Sequence, residues 1–446
     1  MKTVADRERM AFRRRCLLAA AIVGMAGPVA AGACGGDIVN AEPATAEAGG
    51  ATDGSVTDEA PPSADAAPAE NDGAAPDAGS SRASCRRVGD ASAGGVIDTT
   101  FGDGGLVVHD NDGGASTQFR CLVADAQGRI IIGGGDSTGG GTFVRLLPNG
   151  SDDPTFGPLS VDGLVSCALD SGDRLVVVAG QGLLRFDADG HPDPGHPDPA
   201  FAPGFDAGGI GFGRMVIAAD DRIHLVGETS STTPSITHVV LAEVLADGTI
   251  ANAGTTVSSF NGYVPVFAAG LLGNGELGVA AYDSDIEKLG PHIYVGAFDS
   301  AGAPDPKFSA GGWATISGSD FHRAELVLYC DGSITVVTDG SVVRLLPNGA
   351  VDSTQSLAQA SWGPGYQALA DGPGFLYVTD NAIARVVDDQ KLDPTFGTGG
   401  IVAFPAGFPS GYGPLFTRDG LGRIVIANRF YTGGAAGNWG LTRILP

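Results

Sequence analysis

The sequence predicts an all-β fold, a seven-bladed β-propeller of four-stranded antiparallel blades, and three observations predict it. A phrase built on Asp-x-Thr-Phe-Gly recurs at intervals of 41–55 residues. An apolar hairpin pattern alternates with that phrase seven times. The two ends of the repeating region carry complementary half-units. A fixed period of this length denotes an architecture in which each unit buries its apolar faces against its neighbours.

The recurring phrase reads "DTTFGDGGLVV" from Asp98, "DPTFGP" from Asp153, "DPAF" from Asp198, "DPKFSAGGWATI" from Asp305 and "DPTFGTGGIVAF" from Asp393. A weaker "DSTQSL" starts at Asp352, and "NAGTTVSSF" fills the gap from Asn252. Between these lie the hairpins, such as "CLVADAQGRIIIGG" (121–134) and "FTRDGLGRIVIAN" (416–428). Short Val, Ile and Leu runs around Gly, Asp or Asn turns read as β-hairpins. A third strand follows each one, for example "FVRLLPNG", "VVRLLPNG" and "LTRILP", and the Asp phrase leads into a fourth.

The repeating region opens on a lone fourth strand (104–110) and closes on a third strand (441–446). The N-terminal strand is therefore expected to complete the last blade. Radial closure of this kind leaves little strand edge exposed.

These residues resemble the Delta-60 repeat family, the L-D-x-T-F-G-x-x-G units of bacterial exported proteins. The resemblance spans 96–446 and is strongest at Asp98, Asp153 and Asp393. It implies blade-like repeats and no shared catalytic activity.

Within the repeat, the third strands carry Arg145, Arg185, Arg344, Arg385 and Arg443 at one register. Asp153, Asp352 and Asp393 follow eight residues after Arg145, Arg344 and Arg385. Arg185 is assigned to Asp198, thirteen residues on, because "HPDPG" is duplicated in "HPDPGHPDPAF" (191–201). That stretch thus reads as a stutter in the signature and not as a metal site. Arg443 has no Asp downstream, so its expected partner is Asp98, across the closure. One blade has Glu243 at the Arg register and Ala251 where Asp would stand; the next is read with Gly296 at that register, keeping Asp305. Paired charges are expected to be lost together, because an orphaned buried charge costs about 3–5 kcal/mol.

The region before the repeats has a different grammar. Residues 1–33 join a basic cluster (Arg13, Arg14, Arg15) to a short apolar run and small residues ending at Cys34. This is the pattern of a secretory signal, and Ala31-Gly32-Ala33-Cys34 resembles a bacterial lipobox, which makes Cys34 the expected lipid attachment site. Residues 34–95 are acidic and rich in Ala, Pro and Gly, a composition that cannot bury enough apolar surface to order itself. They read as a tether. Losing the signal removes six basic and two acidic side chains and takes the net charge from −25 to −29. Such acidity excludes nucleic acid and general attraction to anionic lipid. Cys85, Cys121, Cys167 and Cys330 remain, with no zinc spacing, and their disulfide state is open from sequence.

Loops joining second to third strands differ in length. The long ones are "GGDSTGGGTF", "ETSSTTPSITH", "YDSDIEKLGPH" and "NRFYTGGAAGNWG". They bring Tyr282, His292, Tyr431, Trp439 and His238 forward as candidate ligand or partner contacts, since loops on rigid scaffolds commonly carry recognition. Motifs for a nucleophile elbow, a P-loop or a metalloprotease are absent, and no cofactor or metal is expected. The reading is a monomeric, lipid-anchored extracytoplasmic propeller of the cell envelope that binds an envelope protein or glycan; a periplasmic or secreted location is the alternative. The competing function is a propeller hydrolase or lyase acting on extracellular polysaccharide or lactone, which requires polar groups with perturbed pKa values converging at the funnel mouth.

Overall fold

The computed structural model describes residues 94–109, 118–135, 140–180, 182–193, 210–232, 235–283, 292–317, 324–338, 341–356, 367–371, 374–379, 381–387, 391–409, 414–429 and 439–446. Residues 1–93, on which the expected signal, Cys34 and most of the expected tether fall, lie outside the described residues. Gly94 and Gly95, assigned to the tether from sequence, belong instead to the fold, Gly95 N bonding Leu445 O at 3.1 Å. Seven antiparallel blades form a ring, with one short 3-10 turn, Ala310–Gly312, among the described residues. The first blade comprises Gln118–Ala124, Ile130–Gly135, Gly140–Leu146 and Leu159–Asp162. The second has three strands among the described residues, Ser166–Leu169, Leu175–Ala179 and Gly182–Phe186. The third begins at Gly211, the fourth at Val266, the fifth at Ala324, the sixth at Gln367 and the seventh at Leu415.

Burial explains the composition of each strand. Second strands such as Leu175–Ala179 and Ile334–Thr338 are buried at every residue, so they read as unbroken apolar runs. Both their faces are covered by neighbouring blades. Outer strands alternate instead: Leu159–Asp162 buries every second side chain. Packing between blades makes the cores. Val216, Val239 and Leu241 of the third blade meet Val266, Val279 and Phe298 of the fourth.

The ring closes as the half-units require. Leu106–His109 pairs with Trp439–Leu445 in antiparallel register, Leu106 opposite Thr442, and Val96–Ile97 pairs further along the same strand. Elsewhere a signature amide bonds the third-to-fourth turn of the next blade: Gly102 N to Asn149 O, Gly157 N to Asp189 O and Ser309 N to Asn348 O, at 2.8–2.9 Å. At the seam, Gly397 N bonds Gly94 O at 2.9 Å. The N-terminal segment therefore supplies the group that a covalent turn supplies in the other blades.

The signature is a lock between blades. Asp98 Oδ1 accepts from Thr100 N and Oγ1 at 3.0 and 2.6 Å, and Asp153 and Asp393 repeat this with Thr155 and Thr395. The other carboxylate oxygen takes the Arg: Arg145 Nε–Asp153 2.8 Å, Arg385 Nε–Asp393 2.8 Å, Arg443 Nε–Asp98 2.9 Å. Each guanidinium lies over the signature Phe, 4.5–4.9 Å from Phe101, Phe156 or Phe396. Arg145 reaches the carbonyl of Ala188, Arg185 that of Ala246 and Arg443 that of Pro148, all in the next blade's turn. Gly150 (φ 89°) and Gly190 (φ 82°) sit in such turns, where a Cβ would strike Phe101 or Phe156.

Three sequence assignments change. Arg185 pairs with Asp193 at 2.5 Å and not with Asp198, which lies outside the described residues. The amide of Asp193 bonds Arg185 O, as Asp153 N bonds Arg145 O, so the eight-residue turn is kept and the duplication follows it. Arg344 and Asp352 form no ion pair. Without the signature Pro and Phe, Val351–Ser356 runs directly into strand, leaving Asp352 exposed while Arg344 lies over the Tyr329 ring at 5.8 Å. In the fourth blade the Arg register falls on Ala297, whose carbonyl accepts from Asp305 N, and not on Gly296.

The third blade inverts the charge. Glu243, nearly buried, takes Arg222 Nη1 at 3.2 Å and lies opposite buried His224. Arg222 comes from a second set of turns that sequence reading passed over. In "DAQGR", "DSGDR" and "DGLGR" the first Asp caps the hairpin turn and binds the Arg four residues on: Asp125–Arg129 2.5 Å, Asp170–Arg174 2.7 Å, Asp419–Arg423 2.6 Å. A disulfide, Cys121–Cys167, staples the innermost strands of the first two blades, and Cys330 is also disulfide-bonded.

Candidate functional site

Strand direction sorts the connections. In each blade the first-to-second and third-to-fourth turns share one face of the ring, and the second-to-third connections share the other. Both Arg–Asp sets lie on the first face, where adjacent turns also touch: Ser171 N donates to Asp221 of the next blade at 2.7 Å. The second face is the one available for long connections.

Three polar side chains cross from one blade to bond the backbone of the next. Arg214 Nε donates to Phe267 O at 2.6 Å, Gln367 Oε1 accepts from Phe416 N at 2.7 Å, and Glu228 Oε2 accepts from Val266 N at 2.8 Å. Each reaches the innermost strand of the following blade, whose edge has no strand partner. Burial raises the Glu228 pKa against the opposing pull of the Val266 amide and Arg214. Among the described residues, no group of three His, Cys, Asp or Glu is placed to hold a metal.

The long connection "ETSSTTPSITH" is largely not a loop. Ile223–Thr232 and Ser235–Val244 stay paired over ten residue pairs, from Ile223 opposite Val244 to Thr232 opposite Ser235. The outer strand Ile250–Asn261 follows them. Continuous Thr, Ser and Ile suit extended pairing, so the third blade projects beyond its neighbours, whose second strands span five to seven residues.

At its end the chain makes a clamped turn. Thr237, fully buried, donates to Gly262 O at 2.7 Å and accepts from Val264 N at 3.1 Å, while Gly262 N bonds Ser235 O at 2.9 Å. Val264 is buried, yet Tyr263 between these fixed points is 59% exposed. Tyr263 was not a sequence candidate. Its only sequence signal is the "NGYVP" turn after a Thr/Ser strand.

The candidates from sequence divide. His292 Nδ1 lies 3.1 Å from Ser317 Oγ, and His238 Nδ1 lies 2.7 Å from Ser259 Oγ. The two His occupy equivalent positions in adjacent blades, five residues before Ala297 and Glu243. They do not meet: Phe260, opposite Thr237, stacks on Tyr294 of the fourth blade at 4.6 Å, so His238 points the other way, toward the second blade. His292 shares its face with Tyr294 and with Asp283 opposite it. Tyr282 packs between the fourth and fifth blades, its amide on Pro265 O at 3.0 Å. Trp439 is a correction. It is 8% exposed, stacked on His109 at 4.2 Å and edge-on to Phe119 at 5.9 Å, because the closing strand carries it into the seam between the seventh and first blades. Tyr431 lies outside the described residues.

The seam between the third and fourth blades is packed: Phe260 stacks on Tyr294 at 4.6 Å and meets Trp313 edge-on at 5.4 Å. Ser258 shares the Phe260 side of its strand, and Tyr294, Thr315, His292, Ser317 and Asp283 share the facing side of the fourth blade. Burial first, then Asp283, raises the Tyr294 pKa, so its hydroxyl stays a protonated donor.

No family model matches the chain. No curated protein matches it. Among solved structures it is similar to the polysaccharide lyase Uly1 (10% identity, 80% of this chain, 98% of that one, TM-score 0.43) and to the Neurospora crassa Pan2 WD40 domain (10%, 81%, 98%, 0.43). It is also similar to the AfRom2 CNH domain (13%, 76%, 99%, 0.41). At these identities and scores the likenesses assign no activity.

Proposed function

We propose that the chain is an exported β-propeller, anchored at Cys34 and held off the envelope by the acidic tether, which binds a partner through the face that carries the third-blade projection. One observation carries this reading. The turn face is tied down by ion pairs, whereas the opposite face holds an exposed aromatic on a turn fixed by three hydrogen bonds. Rigid aromatic side chains held in water are characteristic anchors of recognition. The disulfide Cys121–Cys167 supports export, because disulfides persist in oxidising compartments.

Two measurements test it. Expression of the full chain with a radiolabelled fatty acid should label the wild type and not Cys34→Ser. Pull-down of envelope extract by the full chain should retain a component that Tyr263→Ala releases. Capture that is the same for wild type and Tyr263→Ala would remove the proposed face.

A further inference from the structure

We infer that Cys330 is cross-linked to Cys85, which joins the N-terminal segment covalently to the fifth blade before that segment enters the ring at the seam. The inference deepens the export reading above by naming where the tether meets the fold. Cys330 is disulfide-bonded, and Cys121 and Cys167 are bonded to each other. The chain has six cysteines, so the candidate partners are Cys16, Cys34 and Cys85. All three lie outside the described residues.

Two structural facts select Cys85. First, the chain divides into two compact units, Met1–Asn71 and Asp72–Pro446, and of the three candidates Cys85 is the one that shares a unit with Cys330. Second, the fold fixes the chain nine residues after Cys85 (94 − 85 = 9), and on the matching face. Gly94 O accepts from Gly397 N at 2.9 Å, beside the signature Phe396 in the third-to-fourth turn of the sixth blade. Cys330 lies in the first-to-second turn of the fifth blade, where Tyr329 N bonds Ser333 O at 3.1 Å. Both turns belong to the face that carries the Arg–Asp sets. The two blades touch there, Tyr329 Oη donating to Gly374 O at 3.4 Å. The fourth blade holds Cys330 from its other side: a Cβ on Gly273 would strike the Cys330 carbonyl.

The reach is sufficient. From the third-to-fourth turn of one blade to the first-to-second turn of its neighbour is two strand widths across and one sheet spacing along, each about 10 Å. Nine extended residues span about 30 Å. Cys34 stands sixty residues before Gly94 (94 − 34 = 60). Effective concentration falls as about the −3/2 power of linker length, so the nine-residue connection is favoured roughly 17-fold over the sixty-residue one.

Closure needs a disulfide donor, a dithiol–disulfide exchange protein of the exporting compartment. One cysteine thiolate attacks the donor disulfide, and the second displaces the donor from the mixed disulfide. The pair gains one S–S bond and gives up two protons and two electrons, and the donor leaves as a dithiol. The join then lies on the turn face, opposite the third-blade projection. The N-terminal segment thus clasps three blades: the fifth through Cys330, the sixth through Gly397 and the seventh through Leu445.

Non-reducing peptide mapping of the full chain tests this. The Cys85 peptide should be recovered joined to the Cys330 peptide. Maleimide labelling in denaturant without reductant should leave Cys330 unlabelled in the wild type and in Cys34→Ser, and label it in Cys85→Ser. A wild-type Cys330 that labels, a Cys330 peptide joined to Cys16 or Cys34, or a covalent dimer on a non-reducing gel would overturn the inference. If the Cys85–Cys330 link is found while the chain takes up no fatty acid, the join stands and the lipid anchor falls. If fatty acid labels Cys34 while Cys330 carries a free thiol, the anchor stands and the join falls.

Discussion

Arg443 and Asp98, 345 residues apart in the chain, form the same buried pair that joins residues eight apart elsewhere in the ring. Arg443 Nη2 lies 2.7 Å and Nε 2.9 Å from Asp98 Oδ2, and the guanidinium also bonds Pro148 O of the first blade. One side chain thus ties the C-terminal strand to the N-terminal segment and to the next blade. Asp98→Asn or Arg443→Met should each destabilise the fold by about 3–5 kcal/mol, because each leaves a buried group unpaired. The double substitution Asp98→Leu with Arg443→Met should cost less than the two singles added. Urea unfolding of the four proteins measures this; additive losses would mean that the pair does not act as a unit.

Stability should fall with acid in two separate windows. His224 is buried, and burial lowers its pKa below 6.5 despite Glu243 nearby. The unfolded chain takes up that proton first, so stability is full above pH 6.5 and declines as pH falls below it. Burial tends to raise the pKa of Asp98, Asp153 and Asp393, but the Thr and Arg hydrogen bonds outweigh it and leave each below 3.8. Their contribution is present above pH 3.8 and is lost as pH drops through the folded values. Urea midpoints between pH 7.5 and 3 should show both declines, and His224→Gln should flatten the upper one alone.

Reduction should loosen the join between the first two blades. Cys121 and Cys167 close a span of 46 residues, for which loop-closure entropy gives about 4 kcal/mol as an upper figure, with about 2–4 typical. Cys121→Ser with Cys167→Ser should lower the denaturant midpoint accordingly. Non-reducing peptide mapping of the wild type should recover the linked pair.

Trp439→Ala is expected to act on folding. Its ring fills the seam against His109 and Phe119, and removing a buried Trp costs about 3–5 kcal/mol. Calorimetry should therefore show a lower melting temperature, while ligand affinity of the folded fraction stays unchanged. An unchanged melting temperature with lost binding would restore Trp439 to the contact surface.

Much of the architecture is written in local chemistry. An Asp that caps its own turn, a Thr two residues on and a Phe one further are short-range events, so their recurrence exposed the repeat. Seven apolar hairpins and complementary ends then required a ring. The signature also marked the Arg–Asp lock, because its two charges stand at a fixed eight-residue spacing in one turn. Where that spacing was stretched to thirteen for Arg185, the local rule was abandoned and the structure restored it at Asp193.

The sites on the open face were not legible in this way. Trp439 and Tyr431 looked alike as aromatics in a long connection, yet only packing across the seam decides that Trp439 is core. His238 and His292 share a pattern, but strand alternation turns them toward different blades. Tyr263 carries no motif; its turn is fixed by Thr237 and Ser235, both on the neighbouring strand Ser235–Val244. Local hydrogen bonds repeat with the chain and can be read along it. Which ring faces water depends on tertiary neighbours, across the closed ring for Trp439 and on the paired strand for Tyr263, and only the folded blades supply those.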